Sequence, residues 1–273
     1  MYNKILVINP SSKVTRNVVR DIIYGCWCKG KRIAGGQVPP HSLLQIASVI
    51  KSANFSVDFI DAQGQNLAWA DIPTEYDLII LSTATMSFNE DAEFLEFLKT
   101  KNPRLKSIVF GAHPTFMPIY SLEKKAIDFI ILKEPEQTIV ELIREFYSAK
   151  RYERIAGIGF KDENIGEKKI TELRNFLQDL DALPFVDFDL LPKNVNYFNP
   201  LIKRLPYMTM ITSRGCPGHC IFCTAPGFYG ARLRFQSAQR VIAEIKYLIN
   251  KGVREIYFRD ETFMVNQQRD REI

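Results

Sequence analysis

Along the first 150 residues the apolar positions fall into two alternating textures. KILVI (4–8), SVDFID (56–61), YDLIILS (76–82), KSIVFG (106–111) and AIDFIIL (126–132) are short, nearly continuous apolar runs. Runs of this kind lack the in-out alternation of a half-exposed strand and predict strands covered on both faces. Between them the apolar spacing becomes helical. PPHSLLQIASVIKSAN repeats Leu43, Leu44, Ile46, Ala47 and Ile50. SFNEDAEFLEFLKT gathers Phe94, Leu95, Phe97 and Leu98 behind Ser87-x-x-Glu90, the spacing of a capping box. EPEQTIVELIREFYSAK carries Pro135 near its first turn, where a missing N–H costs nothing. Strands alternating with helices predict a doubly wound, parallel, five-stranded α/β sheet over residues 1–150, with helices on both faces. Such sheets bind ligands beyond the carboxyl ends of their strands. That makes loops 9–12, 82–85, 111–115 and 133–136 the candidate ligand loops, and Asn9, Ser82, Thr83, Thr85, Gly111 and His113 the candidate contacts. No complete G-x-G-x-x-G or G-x4-G-K-[ST] stands at these turns, so a nucleotide fingerprint is missing.

The texture changes near Arg154. RIAGIGFKDENIGEKKIT predicts two strands joined by a charged turn, and the Asp- and Pro-rich stretch after it predicts a linker that packs through its Leu and Phe residues. Residues 151–205 are therefore expected to form a hairpin and linker. From 206 the α/β pattern restarts. YMTMITS (207–213) and REIYFRDETF (254–263) predict strands around the helix SAQRVIAEIKYLINKG, which Ser237 caps and Gly252 ends. The loop after the first of these strands lies on what would be the catalytic face of a barrel-type α/β domain.

That loop holds the densest chemistry in the chain. SRGCPGHCIFCTAPGFYG contains three of the five cysteines, spaced C-x3-C-x2-C as Cys216, Cys220 and Cys223. A closed zinc site needs a fourth ligand, and the only neighbour, His219, directly precedes Cys220 and competes with it for geometry. An iron–sulfur cubane has four iron corners, and three thiolates leave one open. An iron–sulfur site is favoured over zinc and over unligated thiols, with Gly215 and Gly218 relieving crowding in the loop. Composition changes this picture little. At 46% hydrophobic and 25% charged residues the chain is globular, and its net charge of +5 is spread out, the densest cluster being Lys29, Lys31 and Arg32. No nucleic-acid partner is implied. No apolar run reaches the roughly 18 residues of a membrane span, and the N-terminal run is too short for a signal sequence. An odd, uneven set of cysteines points to a reducing cytoplasm.

RGCPGHCIFC resembles the cluster loop of the radical S-adenosylmethionine superfamily, including the aromatic Phe222 before the last cysteine. PPHSLLQIASVIKSANFSVDFIDA, YDLIILSTATMSFNEDAEFLEFLK, SIVFGAHPTFMP and IDFIILKEPEQTIVELI resemble its cobalamin-binding-domain branch. The resemblance implies a Rossmann-like cobalamin-binding domain (1–150) followed by the start of a partial (β/α) radical S-adenosylmethionine barrel (206–273). It implies a 4Fe-4S cluster on Cys216, Cys220 and Cys223, with S-adenosylmethionine on the open iron. It further implies methyl transfer or rearrangement at an unactivated carbon of a small-molecule or lipid-like substrate, and a reducing donor such as flavodoxin or ferredoxin. Asp260 and Glu261 match an acidic pair close to the methionine part of the cosubstrate; no catalytic residue is assigned. The D-x-H-x-x-G motif of many cobalamin proteins is absent, since Asp61 is followed by Ala62, Gln63 and Gly64. Cobalamin without a protein histidine on its lower face is therefore expected. The last segment holds too few strands for a barrel, so the chain is expected to be the N-terminal part of such an enzyme. Two rival readings are a non-catalytic binding module with a vestigial loop and a methylthiotransferase-like protein. The latter needs a second cysteine cluster, for which only Cys26 and Cys28 remain.

Overall fold

The computed structural model describes residues 4–13, 36–162 and 166–273; Cys26 and Cys28 lie outside them. In chain order, the first part comprises β1 (Ile5–Asn9), α1 (His41–Ser52), β2 (Val57–Asp61), β3 (Leu78–Ser82), α2 (Phe88–Lys101), β4 (Lys106–Phe110), α3 (Ala112–Phe116), α4 (Pro118–Glu123), β5 (Phe129–Ile131) and α5 (Glu136–Phe146). All five expected strands are present and parallel, in the order β2-β1-β3-β4-β5. The sheet is nevertheless seven-stranded and mixed, because β6 (Ile158–Lys161) and β7 (Lys168–Ile170) add antiparallel to its end. The hairpin expected in the linker region thus belongs to the sheet. Its register sets Phe160 opposite Phe129 and Ile158 opposite Ile131, so buried apolar side chains continue the core while the open ladder of β5 is covered.

Continuous apolar strands bury both faces. Ile5, Val7, Leu78, Ile80, Ile108 and Phe110 pack on one side with residues of α1 and α5. Leu6, Ile8, Ile79, Leu81 and Val109 pack on the other with Phe94, Leu95 and Leu98 of α2. The expected capping box of α2 does not form: Ser87 is the N-cap without a side-chain cap bond, and its hydroxyl turns back to Ala84 O (3.3 Å). Glu90 instead accepts hydrogen bonds from Ser12 Oγ (2.7 Å) and Lys13 N (2.5 Å) in the loop after β1. A carboxylate that pins a neighbouring loop is no longer free to reach its own N-cap.

The C-terminal part contains β8 (Tyr207–Met210), β9 (Ser213–Arg214), α6 (Ala225–Tyr229), β10 (Arg234–Phe235), α7 (Ala238–Asn250), β11 (Glu255–Phe258) and α8 (Gln267–Glu272). β8 and β11 pair in parallel around α7, whose N-cap Ser237 accepts from Arg240 N at 3.1 Å, as expected. Of the expected strand 207–213, only 207–210 joins β11; residues 213–214 pair instead with β10.

Helix α1 joins the two parts. Its Leu43, Ile46, Ala47, Val49 and Ile50 face the sheet. Leu44 enters a separate core with Met208, Met210, Val241 and Leu248, to which the linker adds Val186 and Leu191. His41, the first residue of α1, places Nδ1 3.0 Å from Thr209 O, and Asp187 N donates to Ser48 Oγ at 2.8 Å. Among the described residues no helix is long and apolar enough to cross a membrane.

Candidate functional site

At the carboxyl edge of the sheet, the segments that follow β4 and β5 meet the cysteine loop and its stem, through Phe116 against Gly227 and through Glu134 and Glu136 against Arg214. With strand order 2-1-3, the chain reverses direction between β1 and β3, where ligands of doubly wound sheets sit. The side chains at this edge divide between structural and exposed roles. Asn9 Nδ2 donates to Asp61 Oδ1 (2.7 Å), and Asp61 also accepts from Gly64 N (2.9 Å) and Tyr197 OH (2.8 Å). Asp61 therefore serves as a buried knot between β1, β2 and the linker, and Asn9 is committed to it. Thr83 Oγ1 donates to Asp91 Oδ2 at 2.6 Å, tying the β3 loop to α2. Ser82 is buried beside it.

Gly111 lets the β3 and β4 loops touch. At φ 118° a Cβ would lie 2.5 Å from Thr83 O and 3.2 Å from Ser82 Oγ, so only glycine fits. His113 follows in α3. Its ring stacks on Phe88 at 3.9 Å between centroids and meets Tyr120 edge-on, with Nδ1 3.3 Å from Thr85 Oγ1. Nε2 is buried without a partner, and burial, with nearby Lys124, lowers the imidazole pKa. The neutral ring is wedged among aromatics, an arrangement that holds it in place. Around it the edge exposes Met86 (54%), Phe116 (44%) and Met117 (50%), an apolar surface uncommon at a strand-end loop cluster.

The facing wall is the cysteine loop. Phe116 packs against α6, where a Cβ on Gly227 would meet its ring at 3.1 Å. At the loop's base Cys216 N donates to Gly230 O (3.1 Å), and Cys223 N donates to Cys220 O (3.0 Å). Cys216 is half-buried, Cys220 and Cys223 are exposed, and Phe222 is 87% exposed. The sulfurs of Cys216 and Cys220 both approach Gly218, 3.4 and 3.8 Å from where its Cβ would be. The expected convergence of all three thiols is not reached: among the described residues no group of three or more His, Cys, Asp or Glu side chains is arranged to hold a metal ion. The physical reason is the exposure of residues 219–224, which have little packing to fix their side chains.

Beyond β11 lie the two acids. Asp260 Oδ1 accepts from Thr212 N (2.9 Å), Thr212 Oγ1 (2.9 Å) and Ser213 Oγ (2.6 Å), joining the end of β11 to the start of the cysteine loop. Its Oδ2, both carboxylate oxygens of Glu261 and the hydroxyl of Thr262 are buried without partners. Burial, reinforced by the charge of Asp260, pushes Glu261 up to about 7, and burial also raises Asp260 despite its three donors. Orphaned carboxylate oxygens suit a cationic hydrogen-bond donor.

Sequence reasoning missed the buried ion network beside these groups. Arg214 and Arg234, which bracket the loop, meet Glu134 from the loop after β5 and Glu136, the first residue of α5. Burial works to raise the pKa of Glu134, but Arg214 and Arg234 overcome it and hold the carboxyl below its usual range. The readable signal was the pair of glutamates on a strand-end loop, where small residues suit a ligand better. Arg234 and Tyr229 are buried in this network and pack there.

Comparison with known proteins follows the same division. Residues 32–143 match the B12 binding domain family. The chain is 29% identical over 246 residues to an uncharacterized methyltransferase of Pyrococcus horikoshii, covering 88% of this chain and 52% of that one. It is 30% identical over 250 residues to the anaerobic magnesium-protoporphyrin IX monomethyl ester cyclase of Synechocystis, covering 87% and 48%. Among solved structures, the cobalamin-dependent S-adenosylmethionine radical enzyme OxsB, with aqua-cobalamin and S-adenosylmethionine bound, superposes with a TM-score of 0.69 at 21% identity, covering 96% of this chain and 34% of that one. The segment 32–143, which carries β2 to β5 of the sheet, thus matches a B12-binding domain. The chain as a whole shares the fold of OxsB, and it spans about half the length of the curated relatives it matches.

Proposed function

We propose that this chain supplies the cobalamin-binding domain and the cluster loop of a radical S-adenosylmethionine enzyme acting on an unactivated carbon, by methyl transfer or rearrangement. The observation that carries this reading is the juxtaposition at Phe116 and Gly227. It brings the ligand edge of a B12-binding sheet against a C-x3-C-x2-C loop, with buried carboxylate oxygens of Asp260 and Glu261 left partnerless after β11.

The donor set fits. Cys216, Cys220 and Cys223 would hold a 4Fe-4S cluster and leave one iron for S-adenosylmethionine. Asp260 and Glu261 would accept from its ammonium group, and exposed Phe222 would pack beside the cluster. Ser82, Thr83, Thr85 and Gly111 would line the corrinoid site, where Gly111 permits close backbone approach and the apolar rim excludes water. His113, stacked on Phe88, would stay off the lower face of the corrinoid. Bound there, these groups supply an electron to the sulfonium and a carrier for a methyl group. Residues 206–273 are read as the beginning of a barrel, and the reducing equivalents as coming from a flavodoxin- or ferredoxin-type donor.

Anaerobic reconstitution with iron, sulfide and hydroxocobalamin tests the reading. About four irons per chain and a broad visible charge-transfer band are expected, together with retained corrinoid lacking nitrogen superhyperfine coupling in the cobalt(II) state. Replacing any one of Cys216, Cys220 or Cys223 by Ala should abolish the full cluster. Four irons retained in all three variants would remove the cluster assignment. Corrinoid retention with no iron uptake would favour a binding module whose loop is vestigial.

A further inference from the structure

The two arginines that flank the cysteine loop face each other. β9 and β10 pair antiparallel with Arg214 directly opposite Arg234, and both are buried. Like charges at such positions repel, and buried guanidinium groups require counter-charges. Those counter-charges come from the B12-binding domain. Glu134 Oε1 accepts from Arg214 Nη1 at 3.1 Å and its Oε2 from Arg234 Nη1 at 2.9 Å; Glu136 Oε1 accepts from Arg214 Nη2 at 2.5 Å. Two cations and two anions leave the network neutral.

The remaining donors are directed as well. Arg234 donates to Leu177 O (2.6 Å) and Tyr229 O (2.8 Å), and Leu177 N donates to Glu134 Oε2 (2.9 Å). A cavity of about 20 Å³ is lined by Glu136, Arg214, Tyr229 and Gln236. Glu136 Oε2 and Gln236 Oε1 are buried without protein partners. Such a volume holds one water, whose two protons suit two acceptors. The ladder closes the loop two residues before Cys216. Gly215, at φ 94°, lies so close to Arg232 O that a Cβ would collide with it, and the Cys216 N–Gly230 O bond continues the closure.

We infer that Glu134 and Glu136 are positioning residues for the cysteine loop. By neutralising the facing arginines they hold the loop's stem shut, so that the arrangement of the three thiols depends on how the loop after β5 is seated. The inference rests on reading Cys216, Cys220 and Cys223 as cluster ligands. Both glutamates act through Arg214 and Arg234, so their effect is on geometry.

The test uses the full chain with Glu134→Gln and Glu136→Gln, each of which removes a charge at nearly constant shape. Amide hydrogen exchange on the unloaded chain reads the clamp itself. Protection at Arg214, Cys216 and Phe235 should fall at least about tenfold, while β1, β3 and β4 keep theirs. After reconstitution with iron and sulfide, the reduced cluster should give more than one EPR species, and iron should pass to a chelator at least about tenfold faster than from the unmodified protein. Should Glu134→Gln fail to fold, Glu136→Gln, which meets Arg214 alone, carries the measurement. Unchanged exchange at the stem in the folded variants overturns the inference, whether or not iron binds. So does a loosened stem with an unaltered EPR spectrum and iron release. An unmodified chain that takes up no iron overturns the cluster reading and, with it, the positioning of ligands. The exchange data then still separate the two failures, because they show whether the glutamates close the stem.

Discussion

Glu261 is a buried carboxyl group that no other residue's donor reaches, raised to about 7 chiefly by that burial and further by its neighbour Asp260. In the unfolded chain the same group titrates near the ordinary value of 4.5. Between those values the folded form binds the extra proton, so stability must fall as pH rises from the lower value to the upper and level off above it. The unliganded chain should therefore lose thermal stability between pH 4.5 and about 7, a decline that Glu261→Gln flattens; a Tm series against pH checks it. A cationic ligand at this site favours the ionised form and should reduce the loss. The two acids were singled out by the family resemblance, while their burial was not legible. Nor were the partners of Asn9 and Thr83: nothing in the sequence marks that Asn9 meets Asp61 or that Thr83 meets Asp91. For the same reason Glu134 and Arg214, 80 positions apart, gave no sign of pairing.

At the scale of elements, the position of each strand followed from its apolar run, while the connections between loops depended on contacts that periodicity does not encode. Gly111 shows the difference. Its sequence neighbours mark the end of β4, but its backbone angle and its approach to Thr83 emerge only when β3 and β4 lie side by side. Gly111→Ala should destabilise the sheet by about 2–4 kcal/mol, from a strained φ plus a collision with backbone. Urea denaturation measures it, and a loss below about 1 kcal/mol would show that the two loops separate easily. Ser87 and Glu90 had the spacing of a capping box, yet Glu90 bonds to Ser12 and Lys13. Local spacing competes with every tertiary donor within reach, and here tertiary donors win. The β6–β7 hairpin was visible as two strands, but its destination on the edge of β5 was not, since an antiparallel addition leaves no mark on the hairpin's own pattern.

At the scale of the whole molecule, α1 contributes to two cores at once, through Leu43 and Ile46 on one side and Leu44 on the other. A helix shared in this way couples the stabilities of the units it joins, because neither core can open without exposing part of the same element. Calorimetry of the chain should give a single endotherm, and Leu44→Ala should lower its midpoint without splitting it; two resolved transitions would show that the units melt independently. The coupling also bears on genetic dissection. A boundary at residue 150, natural from the composition, would discard β6 and β7, bare the ladder of β5, and leave Leu44 facing water. A fragment cut there would precipitate or unfold before any ligand-binding assay could be read. The sheet is thus recognisable from residues 32–143 alone, while its folded form is expected to need the hairpin and the second core as well.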